Sequence, residues 1–170
     1  MCIIVDTNVF GNVFDAKNKD HIQFKPVKEW IFNGNGILVF GGTKYEKEVF
    51  SDKYRKFILQ LLIAGKAKRI NLVEVDKHEE LVKLKIPNAD FDDKHIAAIV
   101  RACGCKLICT KDTRSIPYLK DLRLYRSREL SPKFYTSKRN ENLLVDANIA
   151  DCCKPSKRAT KAQKAQMKEL

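Results

Sequence analysis

The sequence predicts an α/β domain built on a parallel sheet that is covered on both faces. Continuous apolar runs such as Ile3-Ile4-Val5 and Ile37-Leu38-Val39-Phe40 recur along the chain, segments with helical spacing separate them, and Gly, Pro and Asn mark the joins. A strand with no polar side has no face for water, as in parallel sheets flanked by helices. At 170 residues and 44% hydrophobic content the chain can close one core, with an appendage.

Each element has its own signal. Cys2 to Val5 reads as a buried first strand. Val27 to Phe32 reads as the end of a helix, stopped at Asn33-Gly34, and Ile37 to Phe40 as the second strand. After Gly41-Gly42, the residues Tyr45, Val49, Phe57, Leu61 and Leu62 recur near helical period until Gly65. Ile70 to Val75 is predicted as the third strand, followed by a short amphipathic segment around Leu81 and Leu84 and a break at Pro87-Asn88. A helix from about Asp92 to Ala102 turns Ile96, Ile99 and Val100 inward. Lys106 to Cys109 is predicted as the fourth strand and Leu122 to Tyr125 as the fifth. Asn33-Gly34-Asn35-Gly36 is a turn and not a dinucleotide loop, because it precedes a strand and lacks a third glycine in register.

Charge narrows the partner. There are 33 Lys and Arg against 21 Asp and Glu, a net charge of +12, which favours a polyanion such as nucleic acid. Asp6 and Asn8 interrupt the first apolar run too early for an export signal, and no run approaches a membrane span, so a cytoplasmic protein without membrane contact is expected. Cys2, Cys105 and Cys109 lie in or beside apolar runs, and the six cysteines show no Cys-x-x-Cys pair. They are expected to be reduced thiols, mostly in the core, with a structural zinc site as the alternative.

In open parallel sheets, sites lie beyond the carboxyl ends of the strands. Asp6 follows the first strand directly, and Asp112 follows the fourth, with Thr110 at its end. Glu46 and Glu48 lie on the helix after the second strand, and Asp90, Asp92 and Asp93 cluster before the helix leading into the fourth. A lone buried carboxylate is costly, so Asp6 calls for a partner. Clustered carboxylates suit hard divalent cations that prefer oxygen and keep several waters.

Together, VDTNVF at the first strand end, an acid on the next helix, DDKHIAAIV and then TKD resemble a PIN-domain ribonuclease over roughly residues 1 to 126. The resemblance implies a three-layer α/β/α fold with a central parallel sheet ordered 3-2-1-4-5. The apolar pattern thins from about Thr136, which divides the chain into a nuclease-like domain at 1–135 and a basic tail at 136–170. The resemblance also implies a metal-dependent endoribonuclease acting on single-stranded or structured RNA, with Mg²⁺ or Mn²⁺ held by Asp6, Glu48, Asp93 and Asp112. Asn8 and Thr110 would orient these carboxylates and Asp92 would assist through solvent. For the second acid, Glu48-Val49 fits the family pattern better than Glu46-Lys47, and the two side chains lie about 200° apart around a helix. His95 is expected on a helix surface, outside the ligand set.

Lys44, Lys47, Lys111 and Arg114 flank these acids and are expected to contact RNA phosphates. Tyr118, Tyr125 and Tyr135 are candidates for stacking on unpaired bases, with Tyr125 better read as a buried ring anchoring the fifth strand. Lys154, Lys157, Arg158, Lys161, Lys164 and Lys168, with Glu169 the lone acid from Lys154 on, make a basic tail, mobile or helical, with little apolar surface to dock. The expected roles are the toxin of a toxin–antitoxin pair, with an antitoxin as protein partner, or an RNA-processing enzyme; a homodimer is a further expectation. The alternative is a catalytically silent RNA-binding or scaffold module on the same fold.

Overall fold

The structure is a computed structural model that describes residues 2–146 and 150–167. Five strands, β1 (Cys2–Val5), β2 (Ile37–Phe40), β3 (Ala67–Arg69), β4 (Leu107–Cys109) and β5 (Lys133–Tyr135), form one sheet in the order β3-β2-β1-β4-β5. All pairs are parallel, with Ile3 opposite Leu38, Ile4 opposite Ile108, Leu38 opposite Ala67 and Ile108 opposite Phe134. Every residue of β1 is fully buried. Because successive side chains point to opposite faces, both faces of the central strand are covered.

The helices are α1 (Phe10–Phe14) and α2 (His21–Asn33) after β1, then α3 (Thr43–Val49) and α4 (Asp52–Ile63) between β2 and β3. Next, α5 (Leu72–Lys85) and α6 (Lys94–Cys103) pack on each other before β4. The short α7 (Ile116–Leu119) follows β4, and α8 (Lys161–Gln166) lies near the end of the chain. Among the described residues no helix is long and apolar enough to cross a membrane.

One join positions the acid-bearing helix. Gly42 adopts φ +85°, and a Cβ there would come within 2.5 Å of Val75 Cγ1, so only glycine lets α3 start against α5. Asp76 of α5 then accepts from the Thr43 backbone N–H at 2.8 Å and its hydroxyl at 2.6 Å. This fixes the start of α3 and, with it, the directions of Glu46 and Glu48.

Three expectations need correction. The third strand is Ala67–Arg69, and Ile70 to Val75 instead leads into α5. Asn71 caps that helix by accepting from the Glu74 N–H at 3.1 Å, and Val75, Glu79, Val82 and Ile86 form its buried stripe. The fifth strand is Lys133–Tyr135, whereas Leu122–Leu124 is a single 3₁₀ turn capped by Asp121. The basic C-terminal segment does have a surface to dock on, since Ala150, Cys153, Ala159 and Met167 are buried against the domain. The buried Lys66 amine donates to the carbonyls of Gly34 at 2.9 Å and Lys157 at 3.2 Å, anchoring this segment. Lys161 and Lys164 lie in α8, while Lys168 and Glu169 fall outside the described residues.

Candidate active site

Asp6 sits where β1 ends, beside β4 on one side and beyond the pairing with β2 on the other. Its backbone N–H donates to the Cys109 carbonyl at 2.9 Å, which continues the β1–β4 ladder by one step. Its buried carboxylate accepts from the Asn8 backbone N–H at 3.2 Å, the Asn8 side-chain amide at 2.8 Å and the Thr110 hydroxyl at 2.6 Å. All three donors are uncharged. Burial raises the Asp6 pKa from 3.8 to about 6; the Thr110 hydrogen bond opposes this, and the charges of Asp93 and Glu48 reinforce it.

Thr110 links two acids, because its oxygen also accepts from the Asp112 backbone N–H at 3.0 Å. Asp112 is held by Arg114 through Nε at 3.0 Å and a terminal nitrogen at 2.8 Å. That guanidinium keeps the Asp112 carboxyl below the usual range, although the Arg114 side chain itself is 87% exposed. Asp93 stands at the start of α6 and accepts from the buried Ser115 hydroxyl. Burial pushes its pKa up, the Ser115 hydrogen bond opposes this, and Asp92 and Asp112 add to the rise.

Glu48 reaches the same region from α3. Its Oε2 accepts from the Thr7 hydroxyl at 3.0 Å and lies 3.5 Å from His95 Nε2, and Lys44 Nζ is 3.9 Å from Oε1. Glu46 points elsewhere and forms a bidentate pair with Arg69 of β3, both contacts at 2.6 Å. The helix therefore delivers Glu48 to the cluster and spends Glu46 on the fold. Asp6, Glu48, Asp93 and Asp112 thus converge from four chain segments. Among the described residues, however, no three of their ligand atoms fall within 4.8 Å of one another, a spacing that only a group of cysteines meets.

Several surrounding residues sit differently from expectation. His95 is not on a surface: it is 2% exposed, neither ring nitrogen finds a hydrogen-bond partner, and burial, aided by Lys44, pushes its pKa down to about 3. The imidazole is neutral beside Glu48. Tyr135 is buried and donates to the Gln23 carbonyl at 2.9 Å, and the Tyr125 hydroxyl is committed to the Leu119 carbonyl at 2.7 Å, so neither ring is free to stack. Tyr118 lies against Phe91 and, with Ala89, Asp90, Asp92 and Arg114, lines a cleft of about 430 Å³ beside the acids.

Of the four cations, Arg114 and Lys44 touch the cluster, Lys44 also donating to the Asp92 carbonyl at 2.6 Å. Lys111 is paired with Asp20 at 2.5 Å, and Lys47 is exposed. The sequence did not pair Ser115 with Asp93, and it put His95 on a helix surface. The signal for Ser115 was its place three residues after Asp112; for His95 it was a position on a helix that turns out to be buried all round.

No family model matches the chain, and neither the curated proteins nor the solved structures compared with it give a match.

Proposed function

We propose that the chain is a Mg²⁺- or Mn²⁺-dependent endoribonuclease of PIN-domain type. What carries the reading is Asp6, a buried carboxylate whose donors are all neutral and which faces two further acids, Asp93 and Glu48. Like charges gathered in a poorly solvated place hold protons or bind a cation, and an all-oxygen donor set favours a hard ion. The sheet order, with β1 flanked by β2 and β4, supports the same reading because it puts Asp6 at the point where the chain crosses in opposite directions.

Asp6, Glu48, Asp93 and Asp112 would hold the ion, some of them through water, as Mg²⁺ favours. When bound, such an ion supplies charge neutralisation at the phosphoryl oxygens and easier ionisation of a water. Thr110 and Asn8 fix the orientation of Asp6, and Ser115 fixes that of Asp93. Arg114 and Lys44 meet the phosphate backbone beside the acids, with Lys47 further out. Neutral His95 keeps the inner side of Glu48 free of competing charge.

One observation favours a silent RNA-binding module instead: Arg114 occupies both oxygens of Asp112. The deciding experiment incubates the purified chain with end-labelled single-stranded and hairpin RNA under Mg²⁺, Mn²⁺ or chelator. Cleavage that needs the divalent ion and disappears in Asp6→Asn and Asp112→Asn supports the enzyme. Bound but intact RNA under every metal sinks it. Expression in a heterologous host with and without the Asp6 carboxylate, followed by mapping of RNA ends, separates a growth-arresting toxin from a processing enzyme.

A further inference from the structure

Five of the six cysteines gather at the opposite end of the sheet from the acids. Cys2 opens β1, so it stands about 13 Å along the strand from Asp6. The sulfurs of Cys2, Cys152 and Cys153 all lie within 4.8 Å of one another, and those of Cys152 and Cys153 are 3.5 Å apart. Cys103, at the end of α6, contacts Cys152, and Cys105 contacts both Cys2 and Cys103. These residues come from three distant parts of the chain: the first strand, the turn between α6 and β4, and the C-terminal segment.

We propose that Cys2, Cys103, Cys152 and Cys153 form a tetrahedral thiolate site for a zinc ion at the amino end of β1. The spacing fits: with Zn–S bonds of about 2.3 Å, the sulfurs of a tetrahedral site lie about 3.8 Å apart. Cys2, Cys152 and Cys153 already lie within about 1 Å of that spacing, and Cys103, which touches Cys152, moves further to join them. A disulfide, at about 2.05 Å, would need a much larger one. Donor chemistry agrees, since four sulfurs with no carboxylate select a softer ion than Mg²⁺.

The surroundings suit bound thiolates. The Cys105 backbone N–H donates to Cys103 Sγ at 3.4 Å, the Ala150 backbone bonds to the Cys2 sulfur, and Lys68 brings positive charge near Cys152. Such hydrogen bonds orient ligands and offset their charge. Cys105 donates its own thiol to the Leu107 carbonyl at 3.6 Å, which leaves Cys103 as the fourth ligand. Cys2 and Cys153 are buried while Cys103 and Cys152 are partly exposed, so the ion has a way in. On binding, each ligating thiol loses its proton to solvent and no redox step is involved.

The role is structural. The C-terminal segment buries few apolar side chains besides its Lys66 anchor, and a metal tie to β1 and to the end of α6 adds a second attachment. The site is independent of the acid cluster, so the two readings stand or fall separately.

The test uses the full chain, purified under reducing conditions and measured for metal content by elemental analysis. One zinc per chain is expected. Replacement by Co²⁺ should give sulfur-to-cobalt charge transfer and the intense visible bands of a tetrahedral thiolate. Cys152→Ser and Cys103→Ser should drop metal content to background. Cys109→Ser, at a buried position outside the cluster, and Asp6→Asn should each retain it. Should a serine variant fail to fold, the wild type treated with chelator gives an independent reading: zinc removal should lower the unfolding temperature and expose residues 136–167 to protease.

Absence of zinc, with no cobalt spectrum on reconstitution, overturns the proposal. So does full metal retention in Cys152→Ser.

Discussion

Replacing Asp6 by asparagine should make the metal-free protein more stable at neutral pH, even though it removes the residue on which the site is built. The reason is the sign of its pKa displacement. Folding raises the Asp6 carboxyl from 3.8 to about 6, so between these values the native state holds a proton that the unfolded chain has lost. Stability then falls as pH rises through that window, and the loss is complete above pH 6. At about 1.4 kcal/mol per pH unit, the separation is worth about 3 kcal/mol. Asparagine carries no charge to desolvate but loses one acceptor among three hydrogen bonds, which offsets the gain by about 1 kcal/mol.

The expected outcome for Asp6→Asn is a gain of about 2 kcal/mol at pH 7.5 that turns into a deficit of about 0.5 kcal/mol at pH 4. Urea denaturation of both proteins in chelator, from pH 4 to 8, measures it. The difference between the curves is the quantity to read, because His95 titrates in the opposite sense in an overlapping window and contributes equally to both. Saturating Mn²⁺ should then stabilise the wild type, by about 2.7 kcal/mol at a hundredfold excess over its Kd, and leave the variant unmoved. A pH-independent difference, or a variant less stable at pH 7.5, would refute the reasoning.

His95→Leu should become progressively more stable than wild type as pH falls from 6.5 to 5. The native imidazole resists the proton that the unfolded one accepts, which is worth about 2 kcal/mol across that interval; parallel pH–stability curves would contradict it. Glu48→Gln should abolish Mn²⁺-dependent cleavage, whereas Glu46→Gln should cleave RNA normally and lose about 1 kcal/mol of stability with the Arg69 pair; equal effects on cleavage would undo the assignment. Arg114→Ala should change stability by no more than about 0.5 kcal/mol, since its pair is so exposed. The same variant should lower the slope of log affinity for RNA against log salt by about 1, and an unchanged slope would remove Arg114 from the interface.

The central strands could be read directly because burial on both faces demands an apolar residue at every position, as in Cys2–Val5 and Ile37–Phe40. The edge of the sheet makes no such demand. In β3 only Ala67 is buried while Lys68 and Arg69 are exposed, so the segment carries no strand pattern, and pairing with β2 makes it one. The neighbouring Asn-Leu-Val-Glu-Val looks like a strand by apolar content, yet Asn71 with Glu74 three residues on is a helix start, a local cue that outweighs the apolar run. Likewise Leu-Arg-Leu-Tyr alternates as a strand would, but Asp121 closes it into a turn by accepting from the Arg123 N–H at 2.9 Å.

By itself the sequence determined an α/β chain whose acids follow strand ends, since those features depend only on which residues are adjacent. Tertiary structure alone decided that Glu46 is taken up by Arg69, that His95 is buried and neutral beside Glu48, and that five cysteines meet at the far end of the sheet. Each of these outcomes depends on how helices rotate and dock on a shared sheet, and residues up to 151 positions apart in the chain become neighbours only once that packing is complete.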